Sequence, residues 1–201
     1  MTYRETSTVD ELVERCKQGE LSAFRGLYDS HAQHIYRICL KLSAHPTDAE
    51  DAMQMVFTQA LRSLHKFDGT SQFSSWLYGI AVRVVGNQRR AKRRRGRLKL
   101  AYQSEHMGQS ELSTPSPEHR TAARQQLNLL RKALAGLPAP QRVAFVLYHV
   151  ENMKLRQIAD IMHAPIDTTY SRIKAARSCL TEMMASLEED RTTEQESRHD
   201  D

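Results

Sequence analysis

Positively charged side chains are most concentrated in the basic run Gln88–Lys99, which reads QRRAKRRRGRLK. Eight of its residues are positively charged: Arg89, Arg90, Lys92, Arg93, Arg94, Arg95, Arg97 and Lys99. Without them the formal charge of the 201-residue chain falls from +5 to −3. Positive charge focused on one segment favours a polyanion such as nucleic acid over a small substrate. A solvated basic tail or a targeting signal is the alternative interpretation.

Histidines and carboxylates form a second set with possible chemistry. His31 and His34 could share one helix face, and Asp48, Glu50 and Asp51 follow in the chain. Together they could build a metal-dependent hydrolase, but two histidines without a firmly placed third ligand make a weak metal site. We therefore predict no catalytic residue, no metal and no cofactor. Metal analysis of the purified protein would test this alternative.

The third set is a helix-turn-helix pattern near the end of the chain. It comprises a short helix Leu155–Met162, a corner His163–Pro165 and a second helix from Ile166 to Leu187. Ala159 is small where the helices would cross, and His163 occupies a corner position that often needs a positive φ. The polar face of the second helix, suited to phosphates and base edges, consists of Asp167, Thr168, Tyr170, Ser171, Lys174 and Arg177. An ordinary three-helix bundle with a solvated face is the alternative.

Four helices are predicted to carry the residues before the basic run. Thr8 caps the first helix, which Gly19 ends, and the second helix runs over residues 21–42 and ends before His45-Pro46. Thr47 is the predicted cap of the third helix. The fourth begins at about Ser74 and continues into the basic run. The inward-facing stripes of the third and fourth helices are Ala49, Ala52, Val56, Ala60 and Leu64, and Trp76, Leu77, Ile80, Ala81, Val84 and Val85.

The chain is predicted to be all-α, with two small helical domains joined by a flexible linker. Residues 8–99 form the first domain, and 120–187 the second, in which Ile166, Ile173 and Ala176 turn inward. Residues 100–119 are the linker, because this segment has little periodicity and a Thr-Pro-Ser-Pro stop. Residues 188–201 are strongly acidic and are predicted to form a disordered tail. We expect the two domains to fold independently.

The remaining composition indicates a cytoplasmic protein. Cys16, Cys39 and Cys179 form no CxxC motif and are expected to be reduced thiols, with Cys39 in a core. The polar N-terminus lacks the apolar segment of a signal peptide. No run approaches the roughly 18 apolar residues of a membrane span, so we predict no membrane insertion.

Taken in order, these segments resemble the extracytoplasmic-function (ECF) sigma factors of bacterial RNA polymerase. The resemblance rests on an ordered pair of patterns: DAED followed by FxxA and WLYxIA, and then LPxxQRxxFxL followed by IAxIMxxPxxTxxSRIxxAR. It covers roughly residues 12–187. It implies a promoter-specificity subunit that binds core RNA polymerase, recognises the −10 and −35 promoter elements and assists DNA melting, with catalysis left to the polymerase. Whether an anti-sigma factor also binds stays open.

The resemblance implies a role for particular residues. The face that docks on core polymerase would consist of Asp48, Glu50, Asp51, Gln54 and Arg62, with Met55 standing where an acidic residue is common. The −10 surface would consist of Lys66, Phe73, Ser74, Trp76, Arg83, Asn87, Arg90, Arg93 and Arg94. The −35 surface would consist of Thr168, Tyr170, Ser171, Arg172, Lys174 and Arg177. Plain core packing is the alternative role of Trp76.

One alternative retains DNA binding without the polymerase. A stand-alone helix-turn-helix regulator would bind operators through its second domain alone. The four-helix domain with its melting-type loop argues against this alternative, and co-purification with polymerase would separate the two.

Overall fold

The computed structural model describes residues 8–43, 45–103 and 130–196, with side chains described through residue 95 of the first part and residue 185 of the last. The regular elements of these residues are helical. Helices α1 to α4 of the N-terminal unit are Val9–Lys17, Leu21–Ser43, Pro46–Ser63 and Phe73–Gln103, with a 3-10 turn at Leu64–Lys66. In the C-terminal unit, α5 spans 130–136, α6 Ala139–Phe145, α7 Leu155–Met162 and α8 Ile166–Glu196, with a π-helical turn at Val146–Val150. The predicted all-α fold is confirmed.

Helix α1 begins at a reciprocal cap. The Thr8 hydroxyl accepts a hydrogen bond from the Glu11 amide at 3.3 Å, and the Glu11 carboxylate accepts one from the Thr8 amide at 2.8 Å. Each side chain satisfies a backbone N–H that the helix itself leaves without a partner. Gly19 follows the helix at φ +94°, a region that glycine enters without a Cβ penalty. The predicted start and stop of α1 are confirmed.

The junction between α2 and α3 differs from the prediction at one residue. Helix α2 ends at Ser43, before the proline, as expected. However, His45 is the N-cap of α3 and Pro46 is its first residue, so the predicted Thr47 cap is wrong. Proline favours the first helical position because its fixed φ suits the helix and its missing N–H would have had no intrahelical partner. Thr47 therefore lies inside the first turn.

The core of the N-terminal unit follows the predicted stripes closely. Every residue of the α3 stripe is buried, and so is every residue of the α4 stripe except Trp76, which is partly buried. Cys39 has no exposed surface, and burial raises the pKa of its thiol to about 12. A thiol held this far from ionisation is a packing group, as the sequence indicated.

The C-terminal unit contains the predicted helix-turn-helix. Helix α7 has the predicted bounds, and His163 at its end lies in the left-handed region at φ 47°. Ala159, Ile173 and Ala176 are buried, whereas Ile166 is 47% exposed and does not turn inward as expected. As the first residue of α8, Ile166 lies at the corner rather than over the core.

Helix α8 is longer than predicted. It runs to Glu196 and so includes residues 188–196, which the sequence assigned to the acidic tail. The sequence EEDRTTEQE contains no glycine or proline that would stop the helix, and Glu, Gln and Arg are good helix formers. Helix α4 likewise continues through residues 100–103, which were assigned to the linker. Residues 104–119 and 197–201 lie outside the described part of the chain.

The two units pack against each other. Helix α2 contacts α6 and the π turn, and α4 contacts α7. Most of the buried apolar residues of both units belong to one continuous cluster, from which Ala23, Ala144, Ala159 and Ile173 are absent. No helix among the described residues is long and apolar enough to cross a membrane.

Candidate nucleic-acid interface

The basic run lies on the second half of α4. The first half of this helix is anchored in the core through Leu77, Ile80 and Val84, and the same helix then carries the arginines away from it. The side chains of Arg90, Arg93, Arg94 and Arg95 are exposed. A helix continuous with the core fixes the spacing of these charges, which argues against a loose basic tail.

Not every cation of the run is available for a polyanion. The Lys92 ammonium donates to both carboxylate oxygens of Asp48, at 2.5 and 2.7 Å. Arg89 is partly buried, and burial together with the neighbouring charge of Arg93 lowers its pKa. Lys92 therefore ties α4 to α3, and the exposed arginines form the surface that can receive phosphates.

An aromatic cluster lies at the start of α4. Phe67, Phe73 and Trp76 have ring centroids 5.4 to 5.6 Å apart. Phe73 is only 4% exposed, so the structure places it in the core and not on the predicted −10 surface. Trp76 is partly buried and lines an open cavity, which leaves part of its ring available for stacking. Phe73 packs against Trp76, with an angle of 31° between the two ring planes.

The remaining members of the predicted −10 surface extend along and just before α4. Lys66 is exposed at the end of the 3-10 turn, and Ser74 is partly buried. The exposed Arg83 donates through Nε to the Gly79 carbonyl at 3.1 Å, which orients its guanidinium. Arg90 donates through Nη2 to Asn87 Oδ1 at 2.6 Å. The structure thus brings Trp76 and Arg83 to one cavity and places Asn87, Arg90 and the arginine run farther along.

A groove of about 690 Å³ separates α3 from α4. The α3 side of the groove includes three residues of the predicted docking face, Asp48, Asp51 and Gln54. The α4 side includes Asn87, Gln88, Lys92 and Arg94. Glu50 and Arg62 are exposed on α3 but do not line this groove. Met55 is 48% exposed and its sulfur accepts a hydrogen bond from Gln88 Nε2 at 3.5 Å. The face offers carboxylates, an amide and an apolar thioether to a partner.

Helix α8 presents the predicted reading face to the outside. Thr168, Tyr170, Ser171, Lys174 and Arg177 are exposed, Tyr170 to 59%. Arg172 is partly buried. The Ser171 hydroxyl donates to the Asp167 carbonyl at 2.8 Å, which leaves it as an acceptor. Buried Thr169 donates to the Pro165 carbonyl and closes the first turn of α8 against the corner.

The two histidines of the hydrolase alternative have other partners. His31 Nδ1 lies 3.0 Å from the Leu27 carbonyl, and burial lowers the pKa of its imidazole. His34 Nε2 lies 2.6 Å from Glu151 Oε2. Within the described ranges no group of three potential ligands could hold a metal ion. Both imidazoles therefore make polar contacts with other residues of the chain.

Two functional candidates were missed by sequence reasoning. Arg142 is 1% exposed and donates to three carbonyl oxygens, those of Leu42, Ala135 and Leu137, at 2.7 to 3.0 Å. A charged residue within the apolar pattern of α6 was the available signal. The carboxylate of Glu151 is 2% exposed at the contact between the units. Its partners lie over 100 residues away, and nothing local marks it.

Comparison with protein families matches both units. The Sigma-70 region 2 family matches residues 27–95, which include α3 and the start of the basic run. The Sigma-70 region 4 family matches residues 127–180, which include the helix-turn-helix. The two matches occur in the order in which the sequence patterns were found.

Similar proteins match over nearly their whole length. The ECF RNA polymerase sigma-E factor of Haemophilus influenzae is 30% identical over 180 residues, covering 88% of this chain and 95% of that protein. The ECF RNA polymerase sigma factor SigW of Bacillus subtilis is 25% identical over 187 residues, covering 89% and 98%. Among solved structures, CnrH in complex with the cytosolic domain of CnrY has a similar fold, with a TM-score of 0.63, 21% identity and coverage of 87% and 96%. The chain belongs to the family of ECF RNA polymerase sigma factors.

Proposed function

We propose that this protein binds core RNA polymerase and directs promoter-specific initiation by recognising −10 and −35 elements and assisting strand opening. The observation that carries the proposal is helix α4, which borders the groove of the docking face on α3 and itself carries a half-buried tryptophan and exposed arginines. In this proposal the catalytic steps of transcription belong to the polymerase.

The groove face of α3 is the proposed docking surface for the polymerase. Because Asp48 is already paired with Lys92 and 18% exposed, Asp51 and Gln54 are the better candidates for direct contact. Met55 would add an apolar contact, since thioethers adapt to irregular surfaces. Glu50 and Arg62 would contact the polymerase only where it extends beyond the groove.

The proposed −10 surface is revised to Lys66, Ser74, Trp76, Arg83, Asn87, Arg90, Arg93 and Arg94. An aromatic ring flanked by phosphate ligands suits single-stranded DNA, because every base has a face that can stack. Asn87 and Arg83 could contact base edges. The exposed arginines would follow the backbone and make binding strongly dependent on salt.

The proposed −35 surface is the outer face of α8. Helix-turn-helix proteins place such a helix in the major groove. Tyr170, Ser171 and Lys174 lie at i, i+1 and i+4 and face the solvent together, so they are proposed to read bases. Thr168, Arg172 and Arg177 are proposed to hold phosphates. An anti-sigma factor remains a further expected partner.

Transcription assays with purified core polymerase test this function. We expect core enzyme plus this protein to start transcripts at a defined set of positions on bacterial genomic DNA, and core alone to lack them. Asp51→Arg should abolish these starts, whereas Asp29→Arg, a charge reversal on the exposed surface of α2, should not. Binding of operator-like DNA without any association with core polymerase would favour the stand-alone regulator instead.

A further inference from the structure

One ion pair connects the proposed docking face to the basic run. The Lys92 ammonium on α4 donates to both carboxylate oxygens of Asp48 on α3, at 2.5 and 2.7 Å. Both residues line the groove between these helices, and Lys92 belongs to the basic run. The pair therefore holds together one anion of the proposed docking face and one cation from the segment that carries the proposed phosphate ligands.

This ion pair is accessible enough to exchange partners. The Lys92 side chain is 60% exposed, so its ammonium can turn away from Asp48 without leaving a core. Asp48 is 18% exposed and lines the groove, where a cation of a partner can reach its carboxylate. Exposed ion pairs contribute little net stability, because the charges interact weakly in water and salt screens them. Separating Lys92 from Asp48 therefore requires little free energy.

The charges around Lys92 favour a new anion once Asp48 is occupied. Arg89 and Arg95 lie three residues before and three residues after Lys92 on α4, so all three share one side of the helix and repel one another. Repulsion within the run is also evident at Arg89, whose pKa is lowered by burial and then by the charge of Arg93. A DNA phosphate would relieve this repulsion at Lys92, as Asp48 does in the structure.

The chemistry of lysine suits such an exchange. A lysine carries a compact charge on a flexible four-carbon stem, whereas an arginine binds a carboxylate through a rigid planar fork. Rotation of the side chain can therefore move the Lys92 ammonium from Asp48 towards the solvent while α3 and α4 stay in place.

We propose that Lys92 is a conditional phosphate ligand, which Asp48 holds in the free protein and releases to the DNA backbone when a cation of the polymerase takes its place on Asp48. The proposal rests on the proposed function, because it takes the groove as the docking surface and the arginine run as a DNA surface. Asp48 is then a positioning residue, since it determines how many phosphates α4 neutralises before and after docking. No charge is left unpaired, because Asp48 gains the partner's cation and Lys92 gains the phosphate.

The salt dependence of DNA binding counts phosphate contacts and so measures the exchange. Log affinity falls as log salt concentration rises, and each contact with duplex DNA makes this slope steeper by about 0.9. A fluorescent DNA duplex of fixed sequence is titrated with full-length Asp48→Asn, Lys92→Gln, the double variant and wild type. Glu50→Gln is the matched control, because it removes one negative charge from an exposed residue of α3 that does not line the groove.

In the free protein, Asp48→Asn should make the slope steeper by roughly 0.9, because Lys92 becomes available to a phosphate. Lys92→Gln alone should change the slope little, and adding it to Asp48→Asn should restore the slope of wild type. Glu50→Gln should match wild type. Equal slopes for Asp48→Asn and wild type overturn the proposal, and so does a steeper slope that persists in the double variant.

The effect of Lys92→Gln should appear when core polymerase is bound. In the preassembled complex, its slope for promoter DNA should be shallower than that of wild type by roughly 0.9, although the two nearly agree in the free protein. Equal slopes in the complex overturn the proposal. This comparison leaves Asp48 intact, so it holds even if Asp48→Asn weakens the first turn of α3, where a carboxylate is favourable. Failure to form any complex with core polymerase would instead refute the proposed function, and the slopes of the free protein would still show whether Asp48 holds Lys92.

Discussion

On the reading face of α8, each exposed side chain offers DNA a different chemistry. Tyr170 presents an amphipathic ring, Ser171 an acceptor, and Lys174 and Arg177 positive charges. Lys174 lies one turn from Tyr170, whereas Arg177 lies nearer the end of the face. Side chains that reach base edges discriminate between sequences, while those that reach phosphates strengthen binding to all of them.

Lys174→Ala should change which upstream sequence is preferred, because one good base contact discriminates by about 1–3 kcal/mol. Arg177→Ala should weaken all promoters alike. Transcription from a library randomised at the upstream element measures both effects, and binding to core polymerase is the control. Identical preferences for wild type and Lys174→Ala would remove Lys174 from base reading.

Among the elements, α4 combines burial and charge along one axis. Its first turns are fixed by core packing, so the arginines beyond them project from a rigid support. Lys92 interrupts the run by pairing with Asp48 on α3. The element therefore couples the proposed docking groove to the proposed DNA surface.

Replacing Arg93, Arg94 and Arg95 with glutamine should weaken DNA binding about equally for all sequences. A plot of log affinity against log salt concentration has a negative slope. Each lost phosphate contact should make this slope shallower by roughly 0.7–0.9. Lys92→Gln is the control, because its ammonium is held by Asp48 and should change the slope less. A slope unchanged in the triple variant would show that the arginines do not contact phosphates.

Local rules account for the elements that the sequence predicted well. The Thr8 cap, the glycine after α1 and the positive φ of His163 each depend on a few neighbouring residues. Thr47 failed as a cap because Pro46 competes for the same helix start. Phe73, predicted on the −10 surface, is buried, because an aromatic ring at the edge of a helix pattern fits a core as well as a DNA site. The residue type alone did not separate these roles.

Across the whole molecule, the contact between the units was beyond sequence reasoning. His34 and Glu151 are 117 residues apart, and each has an ordinary surface role available. Repeats, charge runs and periodicity depend on residues that are close in the sequence. They do not predict which face of one unit packs against the other unit. That the two domains fold independently stays a prediction. An experiment on it must break the polar contacts between the units, those of Glu151 with His34 and Lys41 and that of Arg142 with the Leu42 carbonyl.

Arg142→Met should destabilise the protein by roughly 3 kcal/mol, because three buried carbonyl oxygens lose their donor. Urea unfolding should show a lower midpoint in signals from both units. Arg25→Met is the control, since Arg25 is 85% exposed and its ion pair with Asp29 is long, at 3.8 Å. Equal stability of Arg142→Met and wild type would mean that water replaces the guanidinium without cost.

The π-helical turn at Val146–Val150 determines the direction in which Glu151 leaves the C-terminal unit. The Glu151 amide bonds to the Val146 carbonyl five residues earlier, one more than in an α-helix. Such a turn is equivalent to a single inserted residue, and removing that residue would rotate the following chain by about 100°. In genetic terms, loss of one codon here would turn the carboxylate away from His34 and Lys41 and leave the composition of the protein almost unchanged.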